Sequence, residues 1–508
     1  MVSALEYHER TKHSPRSVRE SGHRLDFDNK PRPFKRYENL PRQALSERVR
    51  VTGIPALSAI TSTHADFSHE RAVDLDALTA LSYFSTGITK QLTRQGRELL
   101  FRAAACTGAL YHVDLYAVCG DLMDLKAGVY HLEPRSLSLD VLREGDYRGV
   151  LAAASDHDGV ATAPVTFVAT STWWRNAWKY RDRTYRHAFW DSGTVLANLL
   201  ATAESLSLPA EVVLGFADER VVELLGVNPR REAPLELVPV GAGNRAPDAP
   251  TVESIDPATA ALSPEEKEFP LVHDAWRAST LESGDTAREW RSSARAQSVG
   301  RREGGDGDRI ELDPVDYETE SKRPLHATIR RRGSCRAYER EPVSFRKFST
   351  VLDRATRGVP LDGRESDASP LQFVDAYVLV NGVADVPPGV YHYHPEAGEL
   401  ERLVDGECRE EAAHLALDQR LGGEAAACVY FLTDLEAVVD RLGNRGYRLA
   451  QLEAAVTAGR CYLATYAHRD LGGTGLTFYD DRVTSFLSPR ADGQTPMFLY
   501  TFGKPEET

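Results

Sequence analysis

Apolar and polar positions along the chain fall into a few recurring patterns. Val113–Val118 and Val374–Val380 alternate as strands. The stretches "PVTFVATS" (from Pro164) and "ACVYFLTD" (from Ala427) are short apolar runs bounded by polar residues, as buried strands are. "GVYHLEPRSLSLDVL" (from Gly128) and "GVYHYHPEAGELERL" (from Gly389) predict hairpins, with turns near Pro134–Ser136 and Pro395–Gly398. Two long apolar helices are expected, in "DSGTVLANLLATAESL" (from Asp191) and "YRLAQLEAAVTAGRCYLATYAHRDLG" (from Tyr447). The second carries Leu449, Leu452, Val456, Leu463 and Tyr466, with Gly472 past its end as a stop. A shorter helix follows Ser344 as N-cap and places Phe345, Phe348 and Leu352 on one face. Helices mixed with a mostly antiparallel sheet make the fold class α+β.

These patterns occur twice. "LYHVDLYAV" (from Leu110) matches "LQFVDAYVL" (from Leu371), and "AGVYHLEP" (from Ala127) matches "PGVYHYHP" (from Pro388), both displaced by 261 residues. "DRTYRHAFWDSG" (from Asp182) matches "NRGYRLAQLEAA" (from Asn444), and "FADERVVELL" (from Phe216) matches "FYDDRVTSFL" (from Phe478), displaced by 262. A nearly constant, domain-sized register means a duplicated domain rather than a solenoid. The expected organisation is an N-terminal arm over 1–70, copy one over 71–243, a connector over 244–323 and copy two over 324–505. The arm shows little periodicity, and the connector holds one helix near "PLVHDAWRAS". Two apolar helices, one per copy, are expected to pair the copies as a pseudo-two-fold dimer within the chain.

Composition narrows the function. A length of 508 residues fits two or three domains. The net charge of −14 leaves no basic surplus for general nucleic-acid binding, though a local basic pocket for a small anion remains open. Six scattered cysteines show neither zinc spacing nor a secreted disulfide framework, so no metal is expected. The first twenty residues lack the apolar core of a signal peptide, and no run reaches the ~20 apolar residues of a membrane span. A cytoplasmic protein without membrane partners is expected.

The candidate chemistry begins at "RRRGSCRAYER", where Arg332, Ser334 and Arg336 alternate. In an extended segment they would point to one side and suit a phosphate, which Arg binds through bidentate, charge-assisted donors. The alternative is a solvated basic turn. "IRRRGSCRAYEREPVSFRKFSTVLDRA" resembles the opening of a nitroreductase-type flavoprotein domain. In copy one, "FRAAACTGALYHVDLYAV", "AGVYHLEPRSLSLDVLREGD", "WKYRDRTYRHAFWDSGTVLANLL" and "GFADERVVELLGVNPRREAPLELVPVG" resemble, in order, SagB-type dehydrogenases, FMN-dependent oxidases of azoline-containing peptides. "YHERTKHSP" resembles the arm that precedes that domain.

That resemblance implies an FMN site shared between two domains. One domain supplies the Arg-Ser-Arg opening, here Arg332, Ser334 and Arg336 of copy two. The other supplies a loop along the flavin, here "ACTGALY" of copy one with Cys106, Thr107 and Gly108. The reciprocal halves are changed: "STHAD" stands at copy one's opening and "SDASPLQ" (Ser366–Gln372) at copy two's loop. One composite FMN site and one decayed pseudo-site per chain are therefore expected. Gly472, Gly473 and Thr474 resemble the family's Gly-rich turn near the flavin ring, and Lys504 lies near its basic phosphate ligand. Lys179 and Tyr180 resemble the family's catalytic Lys-Tyr pair, with Arg441 and Leu442 at the matching positions of copy two. The sequence leaves open which of the two sites holds Lys179.

Arg183, Tyr185 and Arg186 recur as Arg445, Tyr447 and Arg448, which suggests packing or salt bridges at the seam rather than chemistry. Trp173, Trp174 and Trp178 read as core. The resemblance implies an FMN-dependent oxidoreductase acting on a small molecule or modified peptide, with NAD(P)H or dioxygen as co-substrate. The competing expectation is a flavin-free pair of domains that serves as a binding scaffold. No GxSxG or HExxH is present to support a hydrolase.

Overall fold

A computed structural model describes residues 2–94, 96–295, 299–316, 323–362 and 372–506. Copy one runs through α1 (Leu75–Thr86), β1 (Val113–Cys119), β2 (Gly128–Glu133), β3 (Ser138–Glu144), β4 (Val165–Thr172), α2 (Trp173–Tyr180), α3 (Thr184–Ser205) and β5 (Glu232–Val240). Copy two runs through α4 (Leu325–Arg331), α5 (Phe345–Ala355), β6 (Asp375–Val380), β7 (Gly389–His394), β8 (Glu399–Asp405), β9 (Ala427–Thr433), α6 (Arg445–Ala467), β10 (Gly472–Leu476) and β11 (Thr495–Pro505). The strand orders are equivalent: β3-β2-β1-β4-β5 in one sheet and β8-β7-β6-β9-β11 in the other. Every neighbouring pair is antiparallel. Both expected hairpins form, as β2–β3 and β7–β8. The fold is α+β, with helices flanking two mostly antiparallel sheets. No helix is long and apolar enough to cross a membrane among the described residues.

The two long helices pack on each other between the sheets. Every residue of α6 is buried, as is every residue of α3 except Glu204. Their close approach rests on reciprocal small residues. A Cβ added at Gly193 would stand 2.5 Å from the Cβ of Ala455, and one at Gly459 would stand 2.5 Å from that of Ala197. Position 193 corresponds to 455, and 197 to 459, so each helix carries one Gly and one Ala in opposite order.

Charged clamps flank this crossing. Asp480 of copy two is buried and accepts from Arg183 at 3.2 Å and Arg186 at 2.6 Å, both from copy one. Asp218 of copy one is buried and accepts from Arg445 at 2.6 Å and Arg448 at 2.8 Å, both from copy two. Tyr185 and Tyr447 stack between the clamps, with ring centroids 6.1 Å apart and planes within 8°. The recurring Arg and Tyr residues thus hold the seam, as their sequence pattern suggests.

The arm and the connector also correspond to each other. The arm contains helices Ala4–Arg10 and Pro15–Glu20 and an edge strand Arg42–Ala44 on β3. The connector contains the expected helix, Pro270–Ala278, a second helix Gly284–Arg295, and an edge strand Arg309–Glu311 on β8. Ala287, Trp290 and Ala294 are buried on that second helix, so its apolar spacing was present in the sequence but thinned by surrounding charge. Arm and connector serve the clamps identically. The backbone N–H of His13 donates to Asp480 at 2.7 Å, and that of Leu281 donates to Asp218 at 2.9 Å. Thr11 Oγ1 accepts from Arg186, and Ser279 Oγ accepts from Arg448. Near the pseudo-two-fold axis the backbone itself pairs: Ala56 N–H to Arg323 O at 3.0 Å, and Leu325 N–H to Ile54 O at 2.9 Å. The duplicated unit is therefore an arm plus a domain.

Removing either clamp carboxylate leaves two buried guanidiniums without their counter-ion. Asp480→Ala and Asp218→Ala are each expected to destabilise by about 3–5 kcal/mol in denaturant unfolding. Burial pushes the Asp480 carboxyl up, but Arg183 and Arg186 outweigh it and hold it well below the ordinary carboxylate range. A depressed folded value gives stability present above the unfolded value of about 4 and lost as the pH falls below it. Asp480→Ala should therefore flatten the acid limb of the stability profile.

Candidate functional site at the seam between the copies

The segment after α4 crosses to the other copy. The Arg332 guanidinium donates from Nε to Ala103 O at 2.8 Å, and from Nη2 to Arg102 O at 3.0 Å and Ala104 O at 3.1 Å. It clasps the carbonyls just ahead of the Cys106 loop instead of pointing outward. The N–H of Cys335 donates to Gly473 O at 3.0 Å, which ties the opening to β10. Gly472, Gly473 and Thr474 lie in this strand rather than in a turn or helix cap. The helix itself ends earlier, with His468 as its C-cap. A Cβ at Gly473 would fall 1.9 Å from the Tyr500 hydroxyl, so close ring-to-backbone packing favours glycine there. Ser334 is half-buried and Arg336 exposed, and neither has a hydrogen-bond or ion-pair partner among the described residues. Lys504 is nearby on β11, but its ammonium is held by Glu339 at 2.7 Å and Glu341 at 2.6 Å.

The facing loop of copy one is strained. Gly108, Ala109 and Tyr111 have φ of 64°, 52° and 50°. Left-handed backbone at a non-glycine residue stores about 1 kcal/mol or more and persists only where its surroundings enforce it. Here they do. Asp191 of α3 accepts from Thr107 N at 2.8 Å, Thr107 Oγ1 at 2.7 Å and Cys106 Sγ at 3.0 Å. Arg175 donates to Tyr111 O at 2.7 Å, and Tyr111 N–H donates to Cys106 Sγ at 3.0 Å. Tyr180 lies across the loop, with its hydroxyl 2.9 Å from where a Cβ of Gly108 would stand.

Lys179 and Tyr180 end α2 at this same seam, the one that carries Arg336. Lys179 sits over the Tyr180 ring at 5.0 Å. Burial, then Lys30 of the arm, then Arg336 pull its ammonium below the ordinary lysine value. Burial, with Asp191 and Cys106 adding to it, pushes the Tyr180 phenol well up, so the hydroxyl stays protonated. Lys30 arrives on an arm segment docked on Trp178, whose indole N–H donates to Asp26 O at 2.8 Å. Trp173, Trp174 and Trp178 are buried. Lys30, Lys179 and Arg336 gather positive charge at a seam where unpartnered hydroxyls also lie.

The structure thus gathers Cys106, Thr107, Gly108, Lys179, Tyr180, Arg332, Ser334, Arg336 and the β10 glycines, and leaves the Lys504 ammonium engaged elsewhere. Sequence reasoning missed Asp191, His112 and Lys30. An acid within an apolar helix was the available signal for Asp191. Ser62–Asp66, the segment at copy one's opening, line a cavity of about 450 Å³ with Arg71, Leu200, Glu204 and Pro360, and Arg460 donates to the Ser62 carbonyl at 2.5 Å. The copy-two loop expected at Ser366–Gln372 lies outside the described residues apart from Gln372. His392, His394 and Glu401 form the one His/carboxylate group with metal-ligand spacing among the described residues. Its carboxylate is already engaged by Arg490, by the N–H of Gly305 and by Arg309 at 3.6 Å.

Residues 67–242 match the profile of the nitroreductase family. A protein of Methanocaldococcus jannaschii, provisionally named a nitroreductase, is 30% identical over 210 residues, 40% of this chain and 100% of that protein. The chain belongs to the nitroreductase family. A crystal structure of a protein from Anabaena variabilis, also provisionally named a nitroreductase, superposes with a TM-score of 0.78. It is 24% identical and covers 100% of both chains, so the whole two-copy fold is shared. At family level this makes the chain a flavin-type oxidoreductase.

Arg336→Ala removes one of the cations that depress Lys179. The Lys179 value should rise, and acylation of its Nζ at fixed pH near 8 should slow, by about tenfold for each unit regained. Peptide mass spectrometry after timed labelling reads this directly.

Proposed function

We propose that the chain is an FMN-dependent oxidoreductase of SagB/nitroreductase type with one composite flavin site, formed by the copy-two opening and the copy-one loop. The observation that carries this reading is the set of unengaged groups at one seam: Ser334, Arg336, Lys179 and Tyr180 have no hydrogen-bond or ion-pair partner among the described residues. Half-buried polar groups left unmatched, as Ser334, Lys179 and Tyr180 are, mark a place built for a ligand, and the exposed Arg336 stands beside them. Arg336 and Ser334 suit a phosphate. The β10 strand and the Gly108 loop border this seam, with Tyr500 and Tyr180 packed against their glycines. Arg332 supports the cradle by clasping residues 102–104 and is assigned no direct phosphate contact.

Bound FMN would supply the hydride-accepting chemistry. The chain's own part is acid–base work. A lysine with a lowered value can take a proton at Nζ, and a protonated phenol can donate one. That pairing fits azoline-to-azole dehydrogenation, where Lys179 would take the proton from one ring carbon and a bound flavin would supply the acceptor for the hydride leaving the adjacent one. It also fits related small-molecule redox with NAD(P)H as donor or dioxygen as acceptor.

The test is an FMN titration of the purified chain, followed by its absorption spectrum. One FMN per chain is expected, with binding weakened about tenfold or more in Arg336→Ala, as for a lost charge-assisted contact. Two FMN per chain would overturn the composite-site reading. No binding at any FMN concentration would favour the flavin-free scaffold.

A further inference from the structure

We propose that Asp191 is the positioning residue of the composite site, holding the Cys106–Gly108 loop in its strained shape through a buried relay with His112 and Ser171. This rests on the composite-site reading only for its consequence for flavin, not for its geometry. Oδ1 of Asp191 takes both donors of Thr107, while Oδ2 takes Cys106 Sγ and His112 Nε2, the latter at 2.8 Å. His112 Nδ1 lies 2.8 Å from Ser171 Oγ. His112 and Ser171 are fully buried and Asp191 is nearly so.

Every donor in this chain has an acceptor. With its proton on Nε2, His112 donates to Asp191 and accepts the Ser171 hydroxyl proton at Nδ1. Four donors therefore converge on one carboxylate at the root of the loop whose backbone is strained. Burial, with Asp191 adding to it, raises the Cys106 thiol well above its ordinary value, so the thiol keeps the proton it donates. A fully satisfied buried polar chain rigidifies what it touches. What it touches here is the segment under Tyr180.

Copy two lacks the relay. By sheet register, Asp114 faces Thr170 as Asp375 faces Leu432, so Ser171 corresponds to Thr433 and His112 to Phe373. Asp191 corresponds to Glu453, whose carboxylate accepts the backbone N–H of Phe373 at 2.8 Å and is also bonded by that of Val374. Thr433 Oγ1 bonds the Phe373 carbonyl at 2.5 Å instead of an imidazole. The relay exists only in the copy that supplies the loop to the composite site. An ordinary core requirement would hold in both copies.

The test uses Asp191→Asn, Asp191→Glu and His112→Phe, the last writing the copy-two state into copy one. Cys106 is half-buried while the other five cysteines are buried, so a thiol reagent reports chiefly on the loop in flavin-free protein. Cys106 labelling is expected to quicken about tenfold or more in Asp191→Asn and His112→Phe, the scale of a lost charge-assisted hydrogen bond, with partial rescue in Asp191→Glu. FMN affinity, read by fluorescence quenching, should fall in parallel while denaturation midpoints stay near wild type. Labelling and FMN affinity unchanged in both variants would overturn the proposal and leave the flavin reading standing. Faster labelling in a chain whose wild type binds no FMN would uphold the relay and overturn the flavin reading. Should Asp191→Asn fail to fold, His112→Phe carries the same test, since copy two folds around Phe373.

Discussion

Two buried aspartates, each gripped by two arginines of the other copy, are the constraint on which this structure depends. Asp480 binds Arg183 and Arg186, and Asp218 binds Arg445 and Arg448. Burying six charges is not a cheap route to stability, because desolvation offsets most of the attraction. Their value is registry. Apolar helices such as α3 and α6 could slide or rotate against each other with little penalty. A displaced carboxylate would instead strand two guanidiniums in the interior. The Gly193–Ala455 and Ala197–Gly459 contacts add a steric lock at the same crossing. With register fixed there, the Arg332 segment reaches the carbonyls of residues 102–104 and the seam closes.

The clamps also explain what the arm and connector are for. Each passes a helix beside a clamp and gives it a backbone N–H and a side-chain oxygen, from His13 and Thr11 in one case and from Leu281 and Ser279 in the other. Each then adds an edge strand to the sheet of the domain that follows. These segments complete the buried polar network, and an incomplete one would be costly. The arm also reaches the candidate site. Residues 23–30 dock on Trp178 and bring Lys30 toward Lys179.

Much of this was legible in the sequence. The alternation in Val113–Val118 and its partner gave the sheets, and the 261- and 262-residue displacements gave the duplication. Recurrence of Arg183, Tyr185 and Arg186 in both copies marked them as seam rather than site. Other features were hidden for physical reasons. Thr11 and Ser279, or His8 and Trp276, share a place but little chemistry, so the kinship of arm and connector lives in backbone contacts. Arg332 looked like a phosphate ligand because spacing says nothing about which carbonyls lie opposite. The β10 glycines looked like a turn because Gly is a breaker by default, whereas here it yields room to Tyr500. Asp191 sat unremarked in an apolar helix because its four donors come from a loop 84 and 85 residues away and from His112, just ahead of β1 and 79 residues away.

Joining two copies in one chain removes the symmetry that a homodimer enforces. In a homodimer each substitution appears at both seams, so a loop cannot improve at one without changing at the other. Here the seams have diverged. One keeps Arg332, Ser334 and Arg336 opposite a strained, carboxylate-held loop. The other has Ser62–Asp66 at the corresponding opening and Phe373 where the imidazole stood. The stability that both seams need is carried by the clamps, which remain duplicated. What differs between the seams is therefore free of the folding requirement. Such divergence lets unpartnered hydroxyls, grouped cations and strained backbone gather at the Arg332 seam, and that is where chemistry is to be sought.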